Sequence, residues 1–298
     1  MTAPGTQVSV GWLALREPVD AAARALDLAE HLRAQLRATG RRVIHDLGCG
    51  TGAMGRWLAP LLPGPQHWIL HDRDAELLQV AVADLPGPAA DGDTVTVEAK
   101  HSDIVRLRPG DLADATLITT SALLDLLTEE ELAGLVTVCA GAGCPMLLTL
   151  SVVGRVCVRP PDPLDRRVAA AFDAHQRRAT ERGRLLGPDA VPLAVEEFGR
   201  LGAEVLVRPS PWRLGPLQAE LAAEWFTGWV GAACEQQVEL AAETDVYSRR
   251  RLAQATAGQL AVTVDHADLL VLPQPSGPHP ADSGTSSVCA PLRALVSR

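Results

Sequence analysis

Val43-Ile44-His45-Asp46-Leu47-Gly48-Cys49-Gly50-Thr51-Gly52 is the stretch on which the fold turns. Arg42 to Leu47 is an apolar run of strand length, and it breaks into a glycine cluster before residues 53–62, a helical stretch closed by Pro63. Glycines at the exit of a first parallel strand allow a tight turn and let a ligand approach backbone N–H groups at the next helix start. A ligand site is therefore predicted at the carboxyl end of the first strand. Taken as glycines alone, Gly48-x-Gly50-x-x-Ala53 also satisfies a dinucleotide fingerprint.

Outward from this stretch the pattern repeats. Residues 67–71, 94–100, 115–119 and 145–151 read as further strands, with helices at 74–85 and 128–139, the latter opened by Thr128 with Glu131 at capping-box spacing. Strands alternating with helices predict a doubly wound α/β fold with a mostly parallel sheet. Before it, residues 17–39 read as one amphipathic helix with Pro18 in its first turn and Gly40 as its stop. After it, residues 152–187 read as a helical insertion, containing a proline-rich turn and a helix over 164–182. A helix at 188–202, a strand at 203–208, a helical stretch over 217–258 broken near Thr244-Asp245, and a strand at 260–272 follow. This divides one structural domain into an N-terminal helical cap (1–40), a ligand-binding core (41–151), the insertion (152–187), the second half of the sheet (188–272) and a flexible Pro-, Ser- and Gly-rich tail (273–298).

Three acids decide between ligands. Asp46 stands two residues before the first glycine, where it repels a pyrophosphate but suits a cation. Asp72 ends the second strand, where a carboxylate can accept from both hydroxyls of a ribose, and Asp103 follows the third. With these residues in register the chain resembles the class I S-adenosylmethionine-dependent methyltransferases, whose first motif is an apolar strand, an acid and G-x-G-x-G. The resemblance covers residues 40–151 through four motifs in order. It implies a seven-stranded, mostly parallel sheet with an antiparallel last strand, and S-adenosylmethionine as cofactor. By analogy Asp46, Gly48, Cys49, Gly50 and Gly52 surround the methionine moiety, Asp72 the ribose, and Asp103 with Ile104 the adenine, with Arg73 a further cofactor-binding candidate. Thr120 and Ser121 close the fourth motif. Arg16, with Trp12 before the N-terminal helix, is positioned to pair the cofactor carboxylate; Trp12 equally suits an anchor for that helix.

Methyl transfer from an activated sulfonium asks mainly for positioning, exclusion of water and, where the acceptor carries one, removal of a proton. Two acid/base candidates follow. Asp125, in Ser121-Ala122-Leu123-Leu124-Asp125, faces the acceptor or merely precedes the helix at Thr128. His175 shares a helix face with Phe172 in the insertion, pointing to the acceptor or to solvent. His45 reads as a satisfied core histidine, His71 as a backbone neighbour of the ribose, and Trp212, Trp225 and Trp229 as pocket wall or core.

Composition narrows the acceptor. The 298 residues carry a formal net charge of -9, so no basic surface exists to neutralise a phosphate backbone. A small-molecule acceptor is expected, with no nucleic acid and no membrane among the partners, in a cytoplasmic monomer or homodimer. The six cysteines show no C-x-x-C pair and no metal spacing, so no metal is expected. Lys100 is the lone lysine, a bias of GC-rich coding that points to a bacterium and its specialised metabolism. The alternatives are a non-methylating cyclase or regulatory protein that keeps the cofactor, and an RNA or protein methyltransferase.

Overall fold

A computed structural model describes residues 8–36, 40–84 and 87–273. Five parallel strands, β1 (Arg42–Leu47), β2 (Gln66–Asp72), β3 (Val95–His101), β4 (Leu117–Ser121) and β5 (Met146–Arg159), lie in the order β3-β2-β1-β4-β5. The short pair β6 (Ala179–Thr180) and β7 (Gly183–Arg184) forms a separate hairpin. Strand β8 (Glu204–Pro209) is an edge of the main sheet, β9 (Trp212–Leu214) is a short addition, and β10 (Ala261–Leu272) runs antiparallel to β5, β8 and β9. Ile44 pairs with Leu117 in parallel register, which makes β1 and β4 the neighbours at the centre of the sheet. The doubly wound, mostly parallel sheet with its antiparallel last strand is thus present, and β9 makes it eight-stranded.

In β1, β2, β4 and the first half of β5, successive side chains alternate between two buried faces. Leu47, Ile118, Met146, Leu148 and Leu269 meet α5 (Glu129–Gly141) and α7 (Ala190–Arg200) on one side. Ile44, Trp68, Leu117, Leu147 and Leu270 meet α2 (Leu26–Gln35), α3 (Ala53–Leu58) and α4 (Ala75–Ala83) on the other. The predicted capping box opens α5: the Thr128 hydroxyl accepts from the Glu131 N–H at 3.2 Å, and the Glu131 carboxylate accepts from the Thr128 N–H at 2.9 Å.

Four expectations need correction. The N-terminal helix is two helices, α1 (Val10–Ala23) and α2, and Pro18 lies inside α1 rather than in its first turn. The break follows from a distant partner, because the Asp268 carboxylate accepts from the Ala25 N–H at 2.8 Å and holds the chain out of helical register. The insertion does not begin at residue 152. Strand β5 runs on to Arg159 because β10 continues beside it, pairing Val262 with Val158. Helix α6 (Asp165–Gln176) is correspondingly shorter, and the β6–β7 hairpin replaces its expected end. The long C-terminal helix breaks at residues 237–240, between α8 (Ala219–Gln236) and α9 (Ala241–Thr256), rather than near Thr244. Residues 274–298 of the expected tail lie outside the described residues.

Beyond the sheet, the outer halves of β5 and β10 with β9 form a ribbon. Helices α6, α8 and α9 pack on it around Phe226, Trp229 and Tyr247, a cluster distinct from the two flanking the sheet. Trp12, Leu15 and Val19 of α1 close its near side.

Candidate functional site

The turn after β1 is held from below by β2. The Gly48 and Cys49 N–H groups donate to the His71 carbonyl at 2.8 and 3.0 Å. Gly50 donates to the Asp72 carboxylate at 2.9 Å, and Asp74 donates to its other oxygen at 3.0 Å. Gly48 and Gly50 both have positive φ, +69° and +54°, and a Cβ on Gly50 would meet Leu13 Cδ1 at 3.3 Å. Glycine is therefore required twice over, by conformation and by the close approach of α1. Asp72 braces the turn and keeps two carboxylate oxygens, each with a lone pair to spare, at its rim.

Asp46 lies beneath this turn, 1% exposed. One oxygen accepts from Thr119 Oγ1 at 2.7 Å, while the other is buried with no partner. Burial pushes its carboxyl up to about 7, with Asp72 adding to the rise and the Thr119 hydrogen bond and Arg24 opposing it. Arg24, at the α1–α2 break, is 5% exposed and its guanidinium lies over Trp57. It reaches Thr149 Oγ1 and Ser121 Oγ at 3.4 and 3.3 Å, and its Nη1 is buried without a partner. Burial lowers its pKa, against the pull of Asp20, Asp268 and Asp46. A buried cation and a buried anion, each with an orphaned polar atom, thus border the same turn.

Both line a cavity of about 480 Å³ at the carboxyl end of the strands. Gly48, Cys49, Gly50, Asp72, Arg73, Asp103, Ile104 and Ser121 line it with them, so most of the predicted cofactor residues come together. Gly52 and Thr120 do not line it: Gly52 caps α3 from behind the turn, and Thr120 is buried in β4. Asp103 caps the single turn after β3, accepting from the Val105 N–H at 3.3 Å. His71 supplies its carbonyl to the glycine turn, and its ring, like that of His45, is fully buried and hydrogen-bonded.

The outer half of the cavity is aromatic, with Trp12, Phe172, Trp212 and Trp225 on its walls; Trp229 is core. Arg16 lines it too, but its guanidinium is engaged by Asp20 at 2.8 and 3.2 Å and stacks on Trp212. Arg24, one helix turn past Asp20, lines the same cavity and is the more buried of the two arginines. Asp125 lines the cavity, and burial raises its carboxyl to about 6 against the attraction of Arg16 and Arg178. His175 does not line it. Phe172 points in, whereas His175 turns to Glu235 Oε2 at 3.1 Å, because α6 packs along α8 and only part of its face looks inward. Sequence reading also missed Arg24 and His266. The latter is a strand histidine 6% exposed on the cavity wall, with its pKa lowered by burial to about 3.

No family model matches the chain, and no curated protein matches it. Among solved structures it is similar to a cyclopropane synthase from Mycobacterium tuberculosis, with 12% identity over 89% of this chain and 94% of that one and a TM-score of 0.46. It is also similar to S-adenosylmethionine-dependent methyltransferases from Geobacter sulfurreducens and Thiobacillus denitrificans, each in complex with S-adenosyl-L-homocysteine. Both are 15% identical; the first covers 87% of this chain and 98% of its own with TM-score 0.41, the second 90% and 100% with 0.42. Parallel strands in the order β3-β2-β1-β4-β5, with an antiparallel last strand between β5 and β8, give the chain the class I methyltransferase fold.

Proposed function

We propose that the chain is an S-adenosylmethionine-dependent methyltransferase acting on a small, largely apolar acceptor. The observation that carries this is the pair of orphaned polar atoms beside the glycine turn, Asp46 Oδ2 and Arg24 Nη1. They match the ammonium and carboxylate of an amino acid moiety, as Asp72 matches a ribose diol and the stretch from Ser102 to Ile104 a purine. A pyrophosphate fits poorly against a buried carboxylate. Bound S-adenosylmethionine supplies a methyl group already activated on sulfur. The chain's own residues orient the two partners, and the tryptophan walls keep water out and favour a flat or aliphatic acceptor. The net charge of -9 supports a small molecule over a nucleic acid. Release of S-adenosylhomocysteine with candidate acceptors tests the reading, and no release with any acceptor despite tight binding would favour a non-methylating role.

Asp46 makes binding depend on pH. An ammonium set against it lowers a pKa that stands at about 7 in the free protein, so below that pH binding expels a proton. Affinity for S-adenosylhomocysteine is expected to climb as pH rises from about 5.5 to about 7 and then to flatten, since no proton is left to expel. Calorimetry in two buffers of different ionisation enthalpy reads the released proton. Proton uptake, or a flat profile in the wild type, contradicts this role, and Asp46→Asn is expected to bind weakly at every pH.

Asp125 is the proposed base. At neutral pH its carboxyl, near 6, is ionised yet not too weak to take a proton from an acceptor hydroxyl or amine. Asp125→Asn is expected to lower kcat about a hundredfold with little change in cofactor affinity, and to remove the limb of the kcat profile that rises through pH 6. A variant that retains both turnover and that limb shows that positioning alone suffices.

A further inference from the structure

Behind the purine end of the cavity lies a hydrogen-bonded chain that the proposed reaction does not use. His45 on β1 and His71 on β2 are fully buried, with ring centroids 5.1 Å apart. His45 Nε2 meets Asp114 Oδ1 at 3.1 Å, His45 Nδ1 meets His71 Nε2 at 2.9 Å, and His71 Nδ1 meets Ser102 Oγ at 3.0 Å. Asp114 stands at the surface, and Ser102 lines the cavity next to Asp103.

The direction of the chain follows from its outer end. A carboxylate only accepts, so His45 carries its proton on Nε2. Burial lowers the pKa of both imidazoles and outweighs the opposing pull of Asp114, so at neutral pH each ring is neutral and holds one proton. His45 Nδ1 is then an acceptor, His71 Nε2 is its donor, and His71 Nδ1 is left as an acceptor for the Ser102 hydroxyl. The competing acceptor for that hydroxyl, the Lys100 carbonyl at 3.3 Å, is farther away, and choosing it would strand a buried imidazole nitrogen.

We infer that Asp114, through His45 and His71, fixes Ser102 as a hydrogen-bond acceptor toward the cavity, and that Ser102 thereby selects a 6-aminopurine over a 6-oxopurine. With its proton committed to His71, Ser102 Oγ offers only lone pairs to the ligand. An exocyclic amino group donates to them, and a carbonyl oxygen in the same place is repelled. This rests on the cofactor reading above. Ser102 acts by contact; His45, His71 and Asp114 are positioning residues.

The test compares S-adenosylhomocysteine with S-inosylhomocysteine by calorimetry, and reads the histidine tautomers by long-range proton–nitrogen NMR. The wild type is expected to prefer the adenosyl compound at least about tenfold, and to show Nε2–H on both His45 and His71. Ser102→Ala is expected to reduce the preference several-fold by weakening the adenosyl compound alone. Asp114→Lys, remote from the ligand, places a donor at the outer end and is expected to move both tautomers to Nδ1–H and the preference in the same direction. Nδ1–H on either ring of the wild type, or an unchanged preference in Ser102→Ala, overturns the inference while leaving the cofactor reading intact. Failure of the wild type to bind either thioether overturns the cofactor reading, and the purine selection with it.

Discussion

Asp72→Ala is expected to weaken S-adenosylhomocysteine binding about a thousandfold. Two losses combine. The carboxylate takes the Gly50 N–H and the Asp74 N–H, so its removal frees the middle of the glycine turn and the start of α4 together. Its remaining lone pairs are those available to a ribose diol. Hydrogen bonds to a charged acceptor contribute about 1.5 to 3 kcal/mol each, and two of them give the magnitude. Thermal unfolding shows that the fold survives, since a change confined to the turn leaves the melting temperature within a few degrees of the wild type. Unchanged affinity in a folded Asp72→Ala protein would remove the basis of the cofactor reading. Gly50→Arg checks the same turn from the other side, because its side chain would have to displace Leu13.

Arg24→Met is expected to cost about 3 to 5 kcal/mol of stability, equivalent to a fall of roughly 10 °C in melting temperature, and to abolish detectable cofactor binding. Arg24 is the buried cation facing Asp20, Asp46 and Asp268. Deleting it leaves carboxylates in a region of low dielectric without their counter-charge, and removes the donor assigned to the ligand's carboxylate. Arg24→Lys separates the roles: a single ammonium restores much of the stability but not the fork that reaches Ser121, Thr149 and a ligand at once. Calorimetry at a temperature where all variants are folded reads the binding loss. Arg24→Met with wild-type affinity would return the carboxylate to Arg16.

The contrast between Asp72 and Arg24 shows what the sequence made legible. Strands β1, β2 and β4 carry apolar residues on both faces, and β1 and β2 run into a glycine and an acid, so the strand pattern and the ligand edge follow from local sequence. Asp46, Asp72 and Asp103 sit at strand ends, where position in sequence is position in the site. Arg24 has no such signature. It is one arginine among many in a helical stretch, and it turns inward because Asp268, more than 240 residues away, captures the Ala25 N–H and bends the chain there. The continuation of β5 was hidden for a similar reason. The proline-rich turn from Arg159 suggests a loop from residue 152 on, and only the pairing with β10 makes residues 152–159 strand. For His175, periodicity gives the face shared with Phe172 but not where that face ends, so sequence left open the placement that Glu235 decides.

The ribbon formed by the outer parts of β5 and β10 has a consequence for how such a protein can change. The helices around the aromatic half of the cavity are built on strand extensions and share their own apolar cluster, whereas the glycine turn stands on β1, β2 and two different clusters. Replacements at Phe172 or Trp225 therefore fall in a lobe with its own apolar cluster, which α1 joins to the glycine turn through Trp12 and Leu13. On the proposed function this lobe is the exchangeable part: acceptor range is expected to change on recombining residues 152–176 and 212–264 while the glycine turn on β1 and β2 is kept.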